Sequence, residues 1–171
     1  MTFISNSVSQ FIEEIETDMR TSFKTTEELI DYVAEFYDSL SAYYQNLEST
    51  TDKPRVKLLL EYLSERRKKL EDGIKQYGSE ISKGVLHTWF QYANGLNDLD
   101  DKAMPNLGSR SSVDEILAGT LKVHDTLAAF YQTLALHTRN KGVKEMLTQL
   151  TESEQEEKKK LVRDLEQFQD I

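Results

Sequence analysis

The chain lacks cysteine altogether and contains little of the two residues that most often interrupt helices. Its 171 residues include no cysteine, two prolines and seven glycines. The absence of thiols excludes disulfides, thiolate metal sites, iron–sulfur clusters and cysteine nucleophiles. The scarcity of proline and glycine permits long uninterrupted helices. These absences favour a helical protein without thiol chemistry.

Long apolar runs and an excess of positive charge are missing too. No apolar run approaches the roughly eighteen residues that a membrane span needs, and the N-terminus lacks the basic and continuous apolar parts of a signal peptide. The net charge is −9, and the basic run RRKK at residues 66–69 lies among acidic residues, as is typical of a solvated helix face. We therefore expect a cytoplasmic protein with neither a membrane nor a nucleic-acid partner.

What the sequence does contain is an internal duplication with an offset of 87 residues. Residues 38–65 align without a gap on residues 125–152, and twelve positions carry the same residue in both copies. Several other positions differ conservatively, for example Tyr43 against Phe130. We interpret this similarity as an ancestral duplication of a helical unit.

The signals that start the helices share the same offset. Thr25 with Glu28, and Ser112 with Glu115, have the spacing of a capping box. Each copy continues as a helix, a short polar connection and a second helix, which makes the two helices antiparallel neighbours. We therefore predict an all-α four-helix bundle. Its helices are expected near residues 26–49, 54–77, 113–138 and 141–169.

Two further segments accompany the predicted hairpins 25–77 and 112–171. Residues 1–24 carry an amphipathic stripe at helical spacing and are predicted to form an extra helix. The stripe consists of Val8, Phe11, Ile12, Ile15 and Met19. Residues 78–111 form a long crossover, and its apolar segment VLHTWFQYA is predicted to be a short helix across the bundle. A crossover of this length favours a ferritin-like over an up-and-down topology.

One level of the predicted core departs from the apolar pattern. Residues spaced alternately three and four apart form the stripe of each helix that faces the core. At the other levels of the bundle this stripe is apolar or aromatic. The exceptional level holds Tyr37, Arg67, His124, Glu154 and Glu157. In the duplication, Tyr37 corresponds to His124 and Arg67 to Glu154. Because an unpaired buried charge costs several kcal/mol, these groups are expected to bind one another or a ligand.

The duplicated hairpins, with A-x-F-Y in the third helix and E-x-x-E in the fourth, resemble the rubrerythrin-like branch of the ferritin-like superfamily. That family holds two irons with a Glu on helices one and three and a Glu-x-x-His motif on helices two and four. Carried over in chain order, the ligand positions hold Tyr37, Arg67, Leu70, His124, Glu154 and Glu157. Only Glu154 keeps its ligand type. The resemblance therefore implies the family's fold with a degenerate di-iron site and without oxidase, peroxidase or iron-storage activity.

The simplest hypothesis is that Arg67 replaces the metal. We expect its guanidinium to bond to Glu154, with Glu157 as a further acceptor and with Tyr37 and His124 completing the network. On this interpretation the protein is a non-catalytic scaffold or interaction protein without a cofactor. It is expected to form a homo-oligomer or to bind a protein partner.

Two alternatives remain open at this point. His124, Glu154 and Glu157 have the donor types of a single-metal site for Fe, Mn or Zn. A pocket in the bundle is the other alternative, and it would hold a small ligand against aromatic side chains. That aromatic lining would comprise Tyr37, Tyr44, Tyr131 and Trp89.

Overall fold

Helices joined by short turns make up most of the described chain. The computed structural model describes residues 25–90, 99 and 103–169. The helices in these ranges are α1 Thr26–Thr50, α2 Pro54–Glu80, α3 Lys83–Leu86, α4 Val113–His137 and α5 Lys141–Gln169. The same residues contain no β-strand, and a single β-bridge joins Thr25 to Trp89. The predicted all-α class is confirmed.

The four long helices repeat with the offset found in the sequence. α1 and α4 each span 25 residues and begin at Thr26 and Val113, while α2 and α5 begin at Pro54 and Lys141. All four starts agree with the predicted ones. α2 runs to Glu80, slightly beyond the predicted end at residue 77.

Local capping explains where these helices begin. Both predicted capping boxes are present: the hydroxyl of Thr25 or Ser112 accepts a bond from the backbone N–H three residues later, and the Glu at that position accepts one in return. Asn140 caps α5, because its side-chain oxygen accepts a 3.0 Å bond from the N–H of Val143. α2 starts instead with Pro54, whose fixed φ suits the first helical turn.

Connections of three residues fold α2 back onto α1 and α5 back onto α4. In the first hairpin, the hydroxyl of Ser41 donates a 3.0 Å bond to the carbonyl of Ser64. Near the other end of the pair, a Cβ atom at Gly78 would lie 2.8 Å from the side chain of Ile30. Glycine at this position therefore allows α1 and α2 to approach closely.

The starts of α2 and α4 lie close together. The ammonium of Lys53, just before α2, donates a 2.9 Å bond to the carbonyl of Arg110, just before α4. Hence α2 and α4 start at the same end. Part of the connection between the hairpins is fixed against α1 by Tyr43, whose hydroxyl donates to the carbonyl of Pro105 (2.6 Å) and accepts from the N–H of Leu107 (2.9 Å).

The short helix in this connection is not where the sequence predicted it. α3 begins after Ser82, whose side chain accepts a bond from the N–H of Val85, and it ends before the aromatic part of VLHTWFQYA. Trp89 instead pairs with Thr25 and is 67% exposed. The capping serine and the pairing of residue 89 with the start of α1 set these limits, and the apolar composition of the segment does not reveal either.

Two predictions fall outside the described residues. These are the N-terminal amphipathic helix at residues 1–24 and the last part of the crossover segment, at residues 91–93. Among the helices that are described, none combines the length and the apolar character needed to cross a membrane.

Most positions of the predicted core stripes are buried in both hairpins. Residues that correspond in the duplication are buried together, and burial of one such aliphatic side chain contributes about 1.5–3 kcal/mol. These buried pairs include Leu29 and Ile116, Leu40 and Leu127, Tyr44 and Tyr131, Leu60 and Leu147, and Ile74 and Leu161. The two copies therefore turn the same face inward and share one core.

Candidate functional site

Each long helix contributes one side chain to a polar cluster inside the apolar core. Tyr37 lies on α1, Arg67 on α2, His124 on α4 and Glu154 on α5, and none of them is more than 4% exposed. These four residues, which we name the core network, belong to the polar level that the sequence singles out. The structure brings all four together.

His124 joins the two charged members of the core network. Both terminal nitrogens of Arg67 lie 3.0 Å from its Nε2 atom, and its Nδ1 atom lies 2.7 Å from Oε2 of Glu154. Because a guanidinium can only donate, Nε2 must accept. The ring proton therefore resides on Nδ1 and is donated to Glu154. His124 is a neutral bridge between a cation and a carboxylate.

Tyr37 supplies the second bond to Glu154, since its hydroxyl donates to Oε1 of that carboxylate. Burial, and next the charge of Glu154, raise the pKa of the Tyr37 hydroxyl well above its ordinary value of 10.0. Burial also lowers the pKa of His124 below 6.5, while the bond to Glu154 opposes this shift and the charge of Arg67 adds to it. Both groups thus hold the neutral forms that the hydrogen bonds require.

The core network balances its own charge. Arg67 carries a permanent positive charge and Glu154 a negative one. The neutral ring of His124 lies between them, and the neutral hydroxyl of Tyr37 bonds to Glu154. A buried charge that loses its partner costs about 3–5 kcal/mol. The arrangement therefore makes each charged residue dependent on the other, although they belong to different hairpins.

Two buried polar atoms near the core network have no hydrogen-bond partner among the described residues: Nε of Arg67 and the hydroxyl of Tyr131. Tyr44, the counterpart of Tyr131 in the duplication, does have a partner, because its hydroxyl lies 2.8 Å from the hydroxyl of Thr120. The counterpart of Thr120 is Val33, which cannot form a hydrogen bond. The role of Thr120 was not predicted from the sequence, although the difference between threonine at 120 and valine at the equivalent position 33 could have revealed it.

Glu157 lies apart from the core network. It accepts a 2.5 Å bond from Arg66, and the two side chains are 20% and 14% exposed, respectively. Three residues advance a helix by about 300°, so Glu157 leaves the helix at a different angle from Glu154. The structure thus corrects two expectations: Arg67 reaches Glu154 through His124 rather than directly, and Glu157 pairs with the neighbouring arginine.

The donors of a metal site do not converge here. Within the described residues, no three His, Cys, Asp or Glu side chains are grouped so that they could hold a metal ion. Both nitrogens of His124 and both oxygens of Glu154 already take part in bonds of the core network. Arg67 also places a permanent cation where a dication would be repelled. These residues fit neither the two irons that the ferritin-like family holds nor the single ion of His124, Glu154 and Glu157.

The aromatic residues proposed to line a ligand pocket are not gathered in one place. Tyr44 and Tyr131 are fully buried in the core, whereas Trp89 is exposed on the connection. Tyr37 borders a groove between α2 and α5. The predicted pocket does not form in the way the sequence suggested.

No protein-family model, curated protein or solved structure gives a significant match to this chain.

Proposed function

We propose that this protein is a non-catalytic, ferritin-like helical bundle that acts as a scaffold or interaction protein. In this proposal the core network stands in the place of a di-iron centre. The observation that carries it is the series of bonds from Arg67 through His124 to Glu154, which Tyr37 completes. Groups that neutralise one another in this way favour a structural role of the core network over a catalytic one.

The directions of the helices support the ferritin-like part of the proposal. The contact between Lys53 and Arg110 joins the starts of α2 and α4, so the connection between these helices has to run the length of the bundle. In an up-and-down bundle the two helices would be antiparallel. A long crossover between two hairpins is the arrangement of ferritin-like folds.

Exposed apolar side chains support the interaction part. Trp89 is 67% exposed and Leu136 is 82% exposed. Both lie at one end of the bundle, since the side chain of Asn140, just after α4, bonds to Thr88 over 3.4 Å. Apolar side chains exposed together favour contact with another protein surface, and we propose a second copy of this chain as the partner.

Metal analysis tests the replacement of the di-iron centre. Protein purified without a His-tag and incubated with Fe(II), Mn(II) or Zn(II) is expected to retain no stoichiometric metal after dialysis. Its melting temperature should stay unchanged, because only a ligand of the native state raises it. One or two ions per chain that survive dialysis and raise the melting temperature would overturn the proposal.

Sedimentation velocity tests self-association. The wild-type protein is expected to form a dimer or a larger oligomer, and Leu136→Ser with Trp89→Ser should shift it toward the monomer. Leu58→Ser is the matched control, because Leu58 is also exposed but lies near the start of α2, at the opposite end. A wild-type protein that remains monomeric at high concentration would contradict self-association, as would an equal effect of the control substitution.

A further inference from the structure

A groove opens between α2 and α5 directly beside the core network. Its volume is about 250 Å³. Leu70 and Ile74 of α2 and Leu150 of α5 give it apolar walls, while Tyr37 and Glu154 lie at its inner side. Two members of the core network therefore border an open space in this groove.

Two contacts between α2 and α5 bound the groove along its length. At one end the hydroxyl of Tyr77 donates a 2.6 Å bond to the side-chain oxygen of Gln149. Beyond the other end, Arg66 pairs with Glu157. Residues 66 and 77 are separated by about 16 Å of helix. This bounded space suits a compact molecule rather than a helix or an extended peptide.

Gly73 borders the groove at a point where there is room for a side chain. A Cβ atom built at this position meets no atom within 4 Å, although the residue lies in the interior of α2 and borders the groove. Glycine is unfavourable in a helix interior. A larger side chain at residue 73 would extend into the groove without a backbone clash.

The polar groups of the groove select the chemistry of an occupant. Each oxygen of Glu154 accepts one bond from the core network and retains a further lone pair, so the group presented is a hydrogen-bond acceptor. An anionic carboxylate has no proton to donate to that acceptor. A cation gains little, because Arg67 already neutralises Glu154 and the positively charged residue Lys69 also borders the groove. A neutral hydroxyl fits these conditions.

We propose that this groove binds a compact neutral molecule with an apolar body and a hydroxyl group. The hydroxyl donates to Glu154, and the body packs against Leu70, Ile74 and Leu150. A small phenol has the required size and chemistry. The proposal goes beyond the scaffold function and does not depend on it, since binding leaves the bonds of the core network in place.

Titration of the folded protein with p-cresol, followed by ¹H–¹⁵N NMR, tests the proposal. The amides around residues 69–77 and 149–154 are expected to shift with half-saturation at or below about 1 mM. The isosteric p-xylene lacks the hydroxyl and is expected to bind about tenfold more weakly. The anion 4-methylbenzoate should not bind.

Two glycine substitutions separate groove binding from adventitious binding. Gly73→Leu is expected to fill the groove and weaken p-cresol binding more than about tenfold, while better helix propensity preserves the fold. Gly84→Leu is the matched control, because a Cβ atom at Gly84 also meets no atom within 4 Å but lies on α3, outside the groove. Its binding should equal that of the wild type.

Three results would overturn the proposal. The first is the absence of shifts at the groove amides of the wild-type protein. The second is equal binding of p-cresol and p-xylene, which would remove the role of Glu154. The third is undiminished binding to a folded Gly73→Leu variant, which would place the ligand elsewhere.

Discussion

The two helical hairpins share one pattern of buried residues and differ where the core is polar. The first hairpin places Tyr37 and Arg67 at positions where the second places His124 and Glu154. Each hairpin carries one charge at this level and lacks the counter-charge. Together they form a neutral network across the shared core. The comparison indicates that the two copies have become complementary, so that the core is complete only when both are present.

A second difference between the hairpins leaves one tyrosine better satisfied than its counterpart. The hydroxyl of Tyr44 finds Thr120 in the second hairpin, whereas the hydroxyl of Tyr131 has no partner among the described residues. The residue that corresponds to Thr120 is Val33. A buried hydroxyl without a partner is unfavourable. The two copies therefore differ in that Tyr44 gains a hydrogen bond and Tyr131 does not.

Removing the cation of the first hairpin should have the largest effect on the protein. Arg67→Ala is expected to lower the free energy of unfolding by about 3–5 kcal/mol, because it leaves the buried carboxylate of Glu154 without a counter-charge. Urea denaturation measures this change. The matched control is Arg66→Ala, whose partner Glu157 is partly exposed, and it should cost about 1 kcal/mol or less.

Equal losses for the two neighbouring arginines would contradict this difference. A loss below about 1 kcal/mol for Arg67→Ala would show that the core network contributes little to stability. In that case the complementarity of the two hairpins would have no energetic basis.

The two equivalent tyrosines should make unequal contributions to the free energy of unfolding. Tyr44→Phe is expected to lower the free energy of unfolding by about 1 kcal/mol, because it removes the bond with Thr120. Tyr131→Phe should change it by less than about 0.5 kcal/mol, since no bond of that hydroxyl is lost. Both values come from the same denaturation experiment. If Tyr131→Phe costs as much as Tyr44→Phe, the hydroxyl of Tyr131 has a partner and the asymmetry is absent.

The features that the sequence predicted well depend on short-range signals. A capping serine or threonine and its glutamate define a helix start within four residues. The starts at Thr26 and Val113 could therefore be predicted from the sequence alone. Spacing along a helix likewise placed Arg67 and Glu154 on buried faces. Both kinds of signal reside within a single helix and need no knowledge of its neighbours.

The features that the sequence did not predict depend on contacts between elements. Whether Arg67 meets Glu154 directly or through His124 depends on the separation of three helices and on side-chain rotamers. Glu157 turns to Arg66 for the same reason. The exposure of Trp89 depends on its pairing with the start of α1 rather than on its own apolar character.

The protonation of His124 is also a consequence of the shared core. Burial lowers its pKa below the ordinary value of 6.5. As the pH falls below 6.5, the unfolded chain therefore takes up a proton before the folded one does. The free energy of unfolding should accordingly decline from about pH 6.5 downward.

The state of the His124 ring tests the core network most directly. ¹⁵N NMR of protein labelled in its histidine rings, with His124→Gln as the assignment control, reports which nitrogen carries the proton. At pH 7 we expect a neutral ring with the proton on Nδ1 and a bare Nε2 that accepts from Arg67. A proton on Nε2, or a charged ring at that pH, would contradict the series of bonds that joins the two hairpins.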